Sequence, residues 1–145
     1  TLGNLGLAYN NLGDHAKARD MLERALPIFE RDYGEDSTEV ALTLNNLGNA
    51  YAQLDDRAKA RDMLERALAI EERAYGSDHP SVINTMCELV ELYRDLDLRD
   101  RTSEKRKLLK RLLPILTRVH GPDYYMTQNC RSELAKLGSS TCAVQ

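Results

Sequence analysis

Histidines and cysteines are the residues of this chain best suited to chemistry, and their spacing decides whether they could perform it. His15, His79 and His120 lie far apart in the sequence, whereas a zinc site on one helix needs two histidines about four residues apart. Scattered histidines of this kind are typical of turns and helix ends. We therefore expect no metal site.

The remaining reactive groups show no catalytic pattern either. Cys87, Cys130 and Cys142 form no C-x-x-C pair and no nucleophile motif. Gly3 and Gly6 lie in a helical pattern at the wrong spacing for a phosphate-binding loop. Carboxylates alternate with Arg and Lys, as on solvated helix faces. The sequence predicts a protein without enzymatic activity, without a cofactor and without a small-molecule substrate.

Length and composition predict one soluble domain. The chain has 145 residues, of which 42% are hydrophobic and 30% are charged, a composition typical of globular proteins. No signal peptide and no transmembrane helix are expected, because no apolar run is long enough. Together with the unpaired cysteines, this favours a cytoplasmic protein. We expect a domain over 1–138, a disordered tail over 139–145, and, since Thr1 is not Met, a longer parent protein.

An internal repeat determines the expected fold. Residues 1–42 and 43–84 align without a gap and are identical at 27 of 42 positions. The segment Ala16–Leu26 returns unchanged as Ala58–Leu68. Self-similarity at such a period is typical of repeat architectures, in which each copy is one supersecondary unit.

A third copy over 85–122 is more divergent. Tyr93 lies 42 positions after Tyr51, but the second half of the copy is displaced by three more residues. The displacement places an insertion near Leu98–Thr102. We therefore expect three repeats, over about 1–42, 43–84 and 85–122.

Each copy shows the pattern of two amphipathic helices. Val40, Leu44, Leu47 and Tyr51 recur at spacings of three and four residues, which predicts one buried helix face. No segment alternates with period two, so no sheet is expected. The predicted helices span about 2–12, 15–32, 37–54, 57–74, 79–96, 102–119 and 123–137.

Capping residues and prolines refine these helices. Asp36 with Glu39 predicts a capping box, Gly76 predicts a helix end, and Pro80 suits a first turn. Pro27 and Pro114 fall inside predicted second helices. We expect these two helices to bend near Glu23 and Lys110, whose carbonyls lose a hydrogen bond, while helix 57–74 runs straighter.

The motif Leu44-x-x-Leu47-Gly48-x-x-Tyr51 followed by Ala60-x-x-x-Leu64 resembles a tetratricopeptide repeat, and residues 2–22 repeat the match. The period of 42 and the Tyr75–Pro80 linker are similar to the long-repeat subtype of kinesin light chains. The resemblance implies an all-α superhelix (solenoid) of about three helix-turn-helix repeats plus a C-terminal capping helix over 123–137.

Close packing within each helix pair follows from the same motif. Gly6 and Gly48 are expected to face Ala18 and Ala60, so that the two backbones approach closely. The third copy departs from this pattern, because Val90 replaces the glycine and no alanine stands near Lys105.

The resemblance also places a ligand along the surface formed by the first helix of each repeat. An extended peptide or a segment of a partner protein is the expected ligand, because Asn and Gln side chains can both donate to and accept from a peptide backbone. We expect such amides to face solvent, so that replacing Asn45 and Asn49 by alanine leaves stability nearly unchanged. A scaffold subunit packed through its repeat edges or convex face is the alternative. The positions carried over are Leu7, Asn10, Asn11, Asn45, Asn46, Asn49, Gln53, Asn84, Cys87, Glu88, Glu91, Arg94 and Asp95.

A basic stretch over 98–120 holds eight Lys or Arg against Asp100 and Glu104, a net charge of +6. A solvated helix face explains it most simply, and a docking patch for an acidic protein is second. Nucleic acid is not an expected partner, because the rest of the chain is acidic and no aromatic residue is interleaved. A membrane is not expected either, since the repeat core needs the apolar face. The basic patch would comprise Lys105, Lys107, Lys110 and Arg111.

Overall fold

The computed structural model describes residues 1–95 and 102–139, and these residues form seven α-helices and no strand. The predicted helices agree with the observed ones to within two residues at each end, which confirms the all-α class. The predicted insertion and tail fall largely on residues 96–101 and 140–145, outside the described residues. The helices are α1 (Leu2–Asn11), α2 (His15–Tyr33), α3 (Thr38–Gln53), α4 (Arg57–Tyr75), α5 (Pro80–Asp95), α6 (Thr102–His120) and α7 (Tyr125–Ser139).

The helices divide between two compact units. The N-terminal unit, Thr1–Gly76, contains α1 to α4, and the C-terminal unit, Ser77–Gln145, contains α5 to α7. In the N-terminal unit each helix packs against the next, and α1 also contacts α3. The unit therefore holds the first two repeats, with their first helices, α1 and α3, side by side.

The core of the N-terminal unit lies between α3 and α4, with side chains of α2 against it. The residues it buries recur at the three- and four-residue spacings that put them on one face of each helix. The buried cluster comprises Val40, Ala41, Leu44, Ala67 and Ile70, against which Leu26, Phe29 and Met63 pack.

The close approach of paired helices depends on Gly6 and Gly48, and in each case a leucine of the second helix is the nearest neighbour. A Cβ on Gly6 would lie 2.5 Å from Cγ of Leu22. A Cβ on Gly48 would lie 2.8 Å from Cγ of Leu64 and 3.3 Å from the carbonyl oxygen of Ala60. The glycines therefore make room chiefly for a buried leucine on the second helix.

Serine, not the predicted capping box, opens α3. The Ser37 hydroxyl accepts a hydrogen bond from the backbone N–H of Val40 at 3.3 Å. The Asp36 carboxylate instead forms an ion pair with Arg73 at 2.9 Å. The prediction that Asp36 and Glu39 cap this helix was therefore wrong by one residue. The expected roles of Gly76, which ends α4 with φ of 81°, and of Pro80, which begins α5, are confirmed.

Both internal prolines are accommodated within continuous helices. Pro27 lies inside α2 and Pro114 inside α6, and both side chains face solvent. The bends expected near Glu23 and Lys110 stay predictions.

The C-terminal unit is built on α6, which packs against both α5 and α7. Val90 and Lys105 occupy the places of the close-packing glycine and alanine, and both are buried, at 7% and 6% exposure. The Lys105 ammonium reaches Glu133 on α7 at 2.7 Å. The divergent third copy thus exchanges close backbone packing for a buried ion pair with the last helix.

Candidate functional site

Two of the predicted groove amides face inward and join helices of the N-terminal unit. The first, Asn10, lies at the end of α1. Its Nδ2 donates to the backbone oxygen of Asn46 on α3 at 2.9 Å. Its Oδ1 lies 3.3 Å from Nδ1 of His15 on α2. Asn10 therefore ties three helices together.

The second inward amide is Asn45. Its Nδ2 donates to Oε1 of Glu71 on α4 at 2.8 Å. Glu71 is only 4% exposed. Because a buried carboxylate needs hydrogen-bond donors to offset its lost hydration, Asn45 has a structural role in the helix pair.

The other predicted amides of this unit lie at the surface. Asn46, Asn49 and Gln53 follow one another on α3 at spacings of three and four residues, which places them on one face of the helix. Asn49, Gln53 and Asn11 are exposed, and Asn46 is half-buried. Within residues 1–95 and 102–139, the side chains of these four residues have no hydrogen-bond partner. They are free to bind another molecule.

The contrast between Asn45 and Asn49 is testable by stability alone. We expect Asn45→Ala to lower the free energy of unfolding by about 1–2 kcal/mol, because Glu71 loses a donor while buried. Asn49→Ala should change it by less than about 0.5 kcal/mol. Urea denaturation of both variants measures the difference. Equal stability would mean that the Asn45–Glu71 hydrogen bond contributes nothing to folding.

A pocket of about 200 Å³ opens beside this row of amides, between α1, the end of α2 and the start of α3. We call it the N-terminal pocket. Its walls are mostly apolar, and the Phe29 and Tyr33 rings within it pack at a centroid distance of 5.7 Å. The lining residues are Thr1, Gly3, Asn4, Leu7, Leu22, Phe29, Tyr33, Glu39, Leu42, Thr43 and Asn46.

The predicted groove residues of the C-terminal unit lie on α5. Asn84 is exposed, and Glu91 forms an ion pair with Arg94 at 2.8 Å. Cys87 is half-buried, Glu88 is exposed, and the Asp95 side chain lies outside the described residues.

Glu91 and Arg94 also line a second cavity, of about 180 Å³, between α5, α6 and α7. Lys136 and Glu133 of α7 bring further charges to it, and they pair with each other at 3.0 Å. The full lining is Val90, Glu91, Arg94, Leu112, Met126, Asn129, Cys130, Ser132, Glu133 and Lys136.

Glu133 should make the C-terminal unit sensitive to acid. A hydrogen bond from Lys105, which has the largest effect, and a second one from Lys136 hold the pKa of this carboxyl below its usual value. A pKa lowered by folding stabilises the protein above the unfolded-state pKa, and that stabilisation is lost as the pH falls through the folded-state pKa. We therefore expect stability to fall below about pH 4.3, and Glu133→Gln to flatten this decline.

Urea denaturation over a pH series measures the effect, with Glu35→Gln, at an exposed position of the N-terminal unit, as the matched control. Parallel pH profiles for the wild-type protein and Glu133→Gln would contradict this role of Glu133.

The basic stretch is only partly available at the surface. Lys105 is buried against Glu133, Arg106 donates to the backbone oxygen of Leu137, and Arg118 pairs with Asp78. Lys105 therefore does not belong to an exposed patch. The exposed cations of the predicted patch are Lys107, Lys110 and Arg111.

Structural positions are held by Cys87, Cys130 and the three histidines, whereas Cys142 lies outside the described residues. Burial raises the pKa of Cys87 to about 12 and that of Cys130 to about 11, which makes their thiols poor nucleophiles at neutral pH. His15 begins α2, His120 ends α6, and His79 accepts a hydrogen bond from the N–H of Ser81 at 3.2 Å.

Two further features concern metals and membranes. Among the described residues, no group of three or more His, Cys, Asp or Glu side chains could hold a metal ion. Every helix in the described part of the chain is too short or too polar to span a lipid bilayer.

The sequence analysis did not single out Phe29, Tyr33 and Leu42, which line the N-terminal pocket, or Glu133 and Lys136, which line the second cavity. Phe29 and Leu42 differ between the first two repeats, where Glu71 and Asn84 stand 42 positions later. Comparing the differences between repeats, and not only their identities, could have singled out these two. No sequence signal pointed to Glu133 and Lys136, because α7 has no second copy in the chain.

Comparison with known proteins connects this geometry to a family. Residues 1–72 and 39–101 match the tetratricopeptide repeat family. No curated protein matches the chain in sequence.

Solved structures share the fold. The nearly identical TPR-like repeats assigned to a kinesin light chain of Podosopora anserina superimpose with a TM-score of 0.74 at 22% identity, covering 99% of this chain and 67% of that one. A point variant of those repeats gives a TM-score of 0.75 at 22% identity, with 99% and 66% coverage. BtubC (BKLC) from P. vanneervenii gives 0.63 at 20% identity, with 99% and 64% coverage.

This chain therefore spans about two thirds of the length of these solved chains. At such identities the likeness shows the fold, whereas the family match covers well over half of the sequence. Together with the paired helices and their close-packing glycines, that match establishes that the chain belongs to the tetratricopeptide repeat family.

Proposed function

We propose that this protein binds an extended peptide, or an extended segment of a partner protein, on the surface formed by α1 and α3, the first helices of the repeats in its N-terminal unit. Tetratricopeptide repeats generally mediate protein–protein interaction or scaffolding. The observation that most supports peptide binding on these helices is the row of Asn46, Asn49 and Gln53 on one face of α3. The side chains of these residues have no hydrogen-bond partner among the described residues.

The chemistry of these amides suits a peptide backbone. An extended segment presents unpaired N–H and C=O groups along its length, and each Asn or Gln side chain can satisfy one of either kind. Asn is also a mediocre helix former, so its repeated use on an exposed helix face favours a binding role over a filling role.

Charge narrows the class of partner. The N-terminal unit carries nine Lys or Arg against fourteen Asp or Glu, a net charge of −5. An acidic surface attracts basic segments and repels phosphate. A protein or peptide with basic residues therefore suits this unit better than nucleic acid.

A cytoplasmic location belongs to the same proposal. Cys87 and Cys130 are free thiols, and a reducing compartment keeps cysteines in this state.

A selection from a random peptide library against the intact chain tests the proposal. Titration calorimetry on a recovered peptide should show that Asn49→Ala with Gln53→Ala weakens binding by roughly 5–100-fold, the effect of losing two hydrogen bonds at an interface. Lys107→Gln with Lys110→Gln on α6 is the matched control and should bind as the wild-type protein does. The reverse pattern would move the binding surface to the basic helix and overturn the proposal.

Scaffolding through a repeat edge is the second candidate, and the exposure of α1 favours it. Leu5 is 50% exposed, whereas its equivalent in the next repeat, Leu47, is 2% exposed. On α3, the corresponding face is covered by α2, and Tyr51 there donates to Glu23. Tyr9, the equivalent of Tyr51, donates to no acceptor within the described residues. The edge of α1 could therefore accept a helix similar to α2.

Sedimentation in the presence of a synthetic peptide of residues 15–33, the α2 segment, separates this candidate from the first. Edge packing predicts a complex that Leu5→Ser abolishes and that Asn49→Ala leaves intact. No complex at any peptide concentration would remove the candidate.

A further inference from the structure

The first repeat replaces a polar contact of the second repeat by an apolar one. Asn45 and Glu71, which form a hydrogen bond of 2.8 Å, correspond 42 positions earlier to Gly3 and Phe29. A Cβ on Gly3 would lie only 3.0 Å from Cε2 of Phe29. The glycine thus lets the ring lie close against α1, where it is part of the apolar lining of the N-terminal pocket.

The same exchange extends to the walls of the pocket. Leu7 and Leu42 are 40% and 60% exposed, yet Asn49 and Asn84 stand at the equivalent positions 42 residues later. The repeat therefore does not need leucine at these positions in order to fold. Exposed apolar side chains gathered around one concavity are typical of an interaction site.

Size limits what the pocket can hold. At about 200 Å³, it is smaller than the roughly 300–1,000 Å³ of most small-molecule sites. A single large side chain of another protein fits this volume better than a free metabolite.

The polar lining residues suit the backbone around such a side chain. Asn4 and Asn46 line the pocket, and their side-chain amides have no hydrogen-bond partner within the described ranges. Glu39 supplies the negative charge of the lining, in a unit whose net charge is −5. These groups favour a peptide backbone beside the pocket and a basic residue close to the one that enters it.

We propose that the N-terminal pocket receives a large apolar side chain, of the Leu, Met or Phe class, from an extended peptide with a neighbouring Lys or Arg. The proposal rests on the proposed function and specifies its ligand. The apolar side chain packs on Leu22 and Phe29, Asn46 binds the peptide backbone, and Glu39 attracts the basic residue. Repeat one thus anchors the ligand by apolar contact, and repeat two holds its backbone.

The experiment begins with a random phage-displayed library, from which peptides that bind the intact chain are selected. We expect the recovered peptides to share a large apolar residue with Lys or Arg nearby. A synthetic copy of one such peptide should bind about tenfold or more weakly to Leu7→Asn with Leu42→Asn, because its apolar residue loses buried contact. Both substitutions are at exposed positions and copy the second repeat, so the variant should fold. Leu12→Asn is the matched control, since Leu12 is 79% exposed and lies outside the lining.

Exchanging the peptide's apolar residue for Asn gives a second readout. Affinity for the wild-type protein should fall by the same factor, and affinity for the double variant should fall no further, as expected for two groups in direct contact.

Peptides that bind, share no apolar residue and depend on Asn49 and Gln53 alone would overturn the pocket proposal while supporting the proposed function. Additive losses in the double-variant comparison would also overturn it. If the library yields no binding peptide, both proposals are overturned.

Discussion

Replacing Gly48 by valine should lower the free energy of unfolding by about 2–3 kcal/mol, even though glycine is a poor helix former. A Cβ at this position would lie 2.8 Å from Cγ of Leu64 and 3.3 Å from the backbone oxygen of Ala60. Leu64 is buried at 2% exposure and has little room to move, and a backbone oxygen moves only with its helix. Valine adds two methyl groups beyond that Cβ, so α3 and α4 must separate.

Denaturation by urea measures the loss, and Gly138 on α7 provides the matched control. No atom would lie within 4 Å of a Cβ on Gly138, so Gly138→Ala should leave stability unchanged or raise it by at most about 1 kcal/mol. A Gly48→Val protein as stable as the wild type would show that close approach of the helix pair does not limit packing in this repeat.

Ala69→Pro should destabilise the protein by about 3 kcal/mol, and Pro27→Ala should stabilise it by less than that. The two positions are equivalent in the repeats, and both lie inside second helices, α4 and α2. A proline there removes an N–H bond to the fourth residue back and clashes with that carbonyl. The gain in Pro27→Ala should be smaller, because the continuous helix α2 already accommodates the ring.

Chemical denaturation followed by circular dichroism compares the two variants, with Pro80→Ala as the control. Pro80 is the first residue of α5, where a missing N–H costs nothing, so this variant should change stability little. A loss of stability in Pro27→Ala would mean that the packing of α2 requires the proline.

Helix positions could be predicted closely because they follow from local periodicity and from repetition. Buried residues such as Leu22 and Leu64 recur at equivalent places in the repeats, so two copies of the pattern predicted the same helix. The residue that caps a helix end was harder to predict. Ser37 caps α3 where Asp36 was expected, because two adjacent polar residues can both serve and only tertiary contacts, here Asp36 with Arg73, decide between them.

The candidate site could be predicted in part. Asn49, Gln53 and Asn84 are exposed, as the sequence predicted for amides that face solvent, whereas their role in a groove stays a prediction. Asn10 and Asn45 turn inward because their partners, the Asn46 carbonyl and Glu71, come from helices distant in the sequence. No local pattern reports such a partner, and a buried carboxylate such as Glu71 looks like a solvated one when only its sequence neighbours are considered.

The turn before α4 shows that a backbone conformation, too, can be hard to predict from the residue type alone. Asp55 has φ of 64°, a left-handed conformation that Gly13 supplies in the first repeat with φ of 79°. The alignment of the two repeats pairs these residues, yet aspartate by itself does not indicate a positive φ. Equivalent positions in repeats therefore carry conformational information that a single residue type lacks.

The binding surface proposed on α1 and α3 is best tested by locating a bound peptide on the protein. Backbone amide resonances of the intact chain should be followed by NMR while a library-selected peptide is added. We expect shift changes to concentrate on α1 and α3, with large ones at Asn46, Asn49 and Gln53, and to stay small on α2, α4 and α6. Changes centred on the basic face of α6, or on the second helices generally, would contradict it.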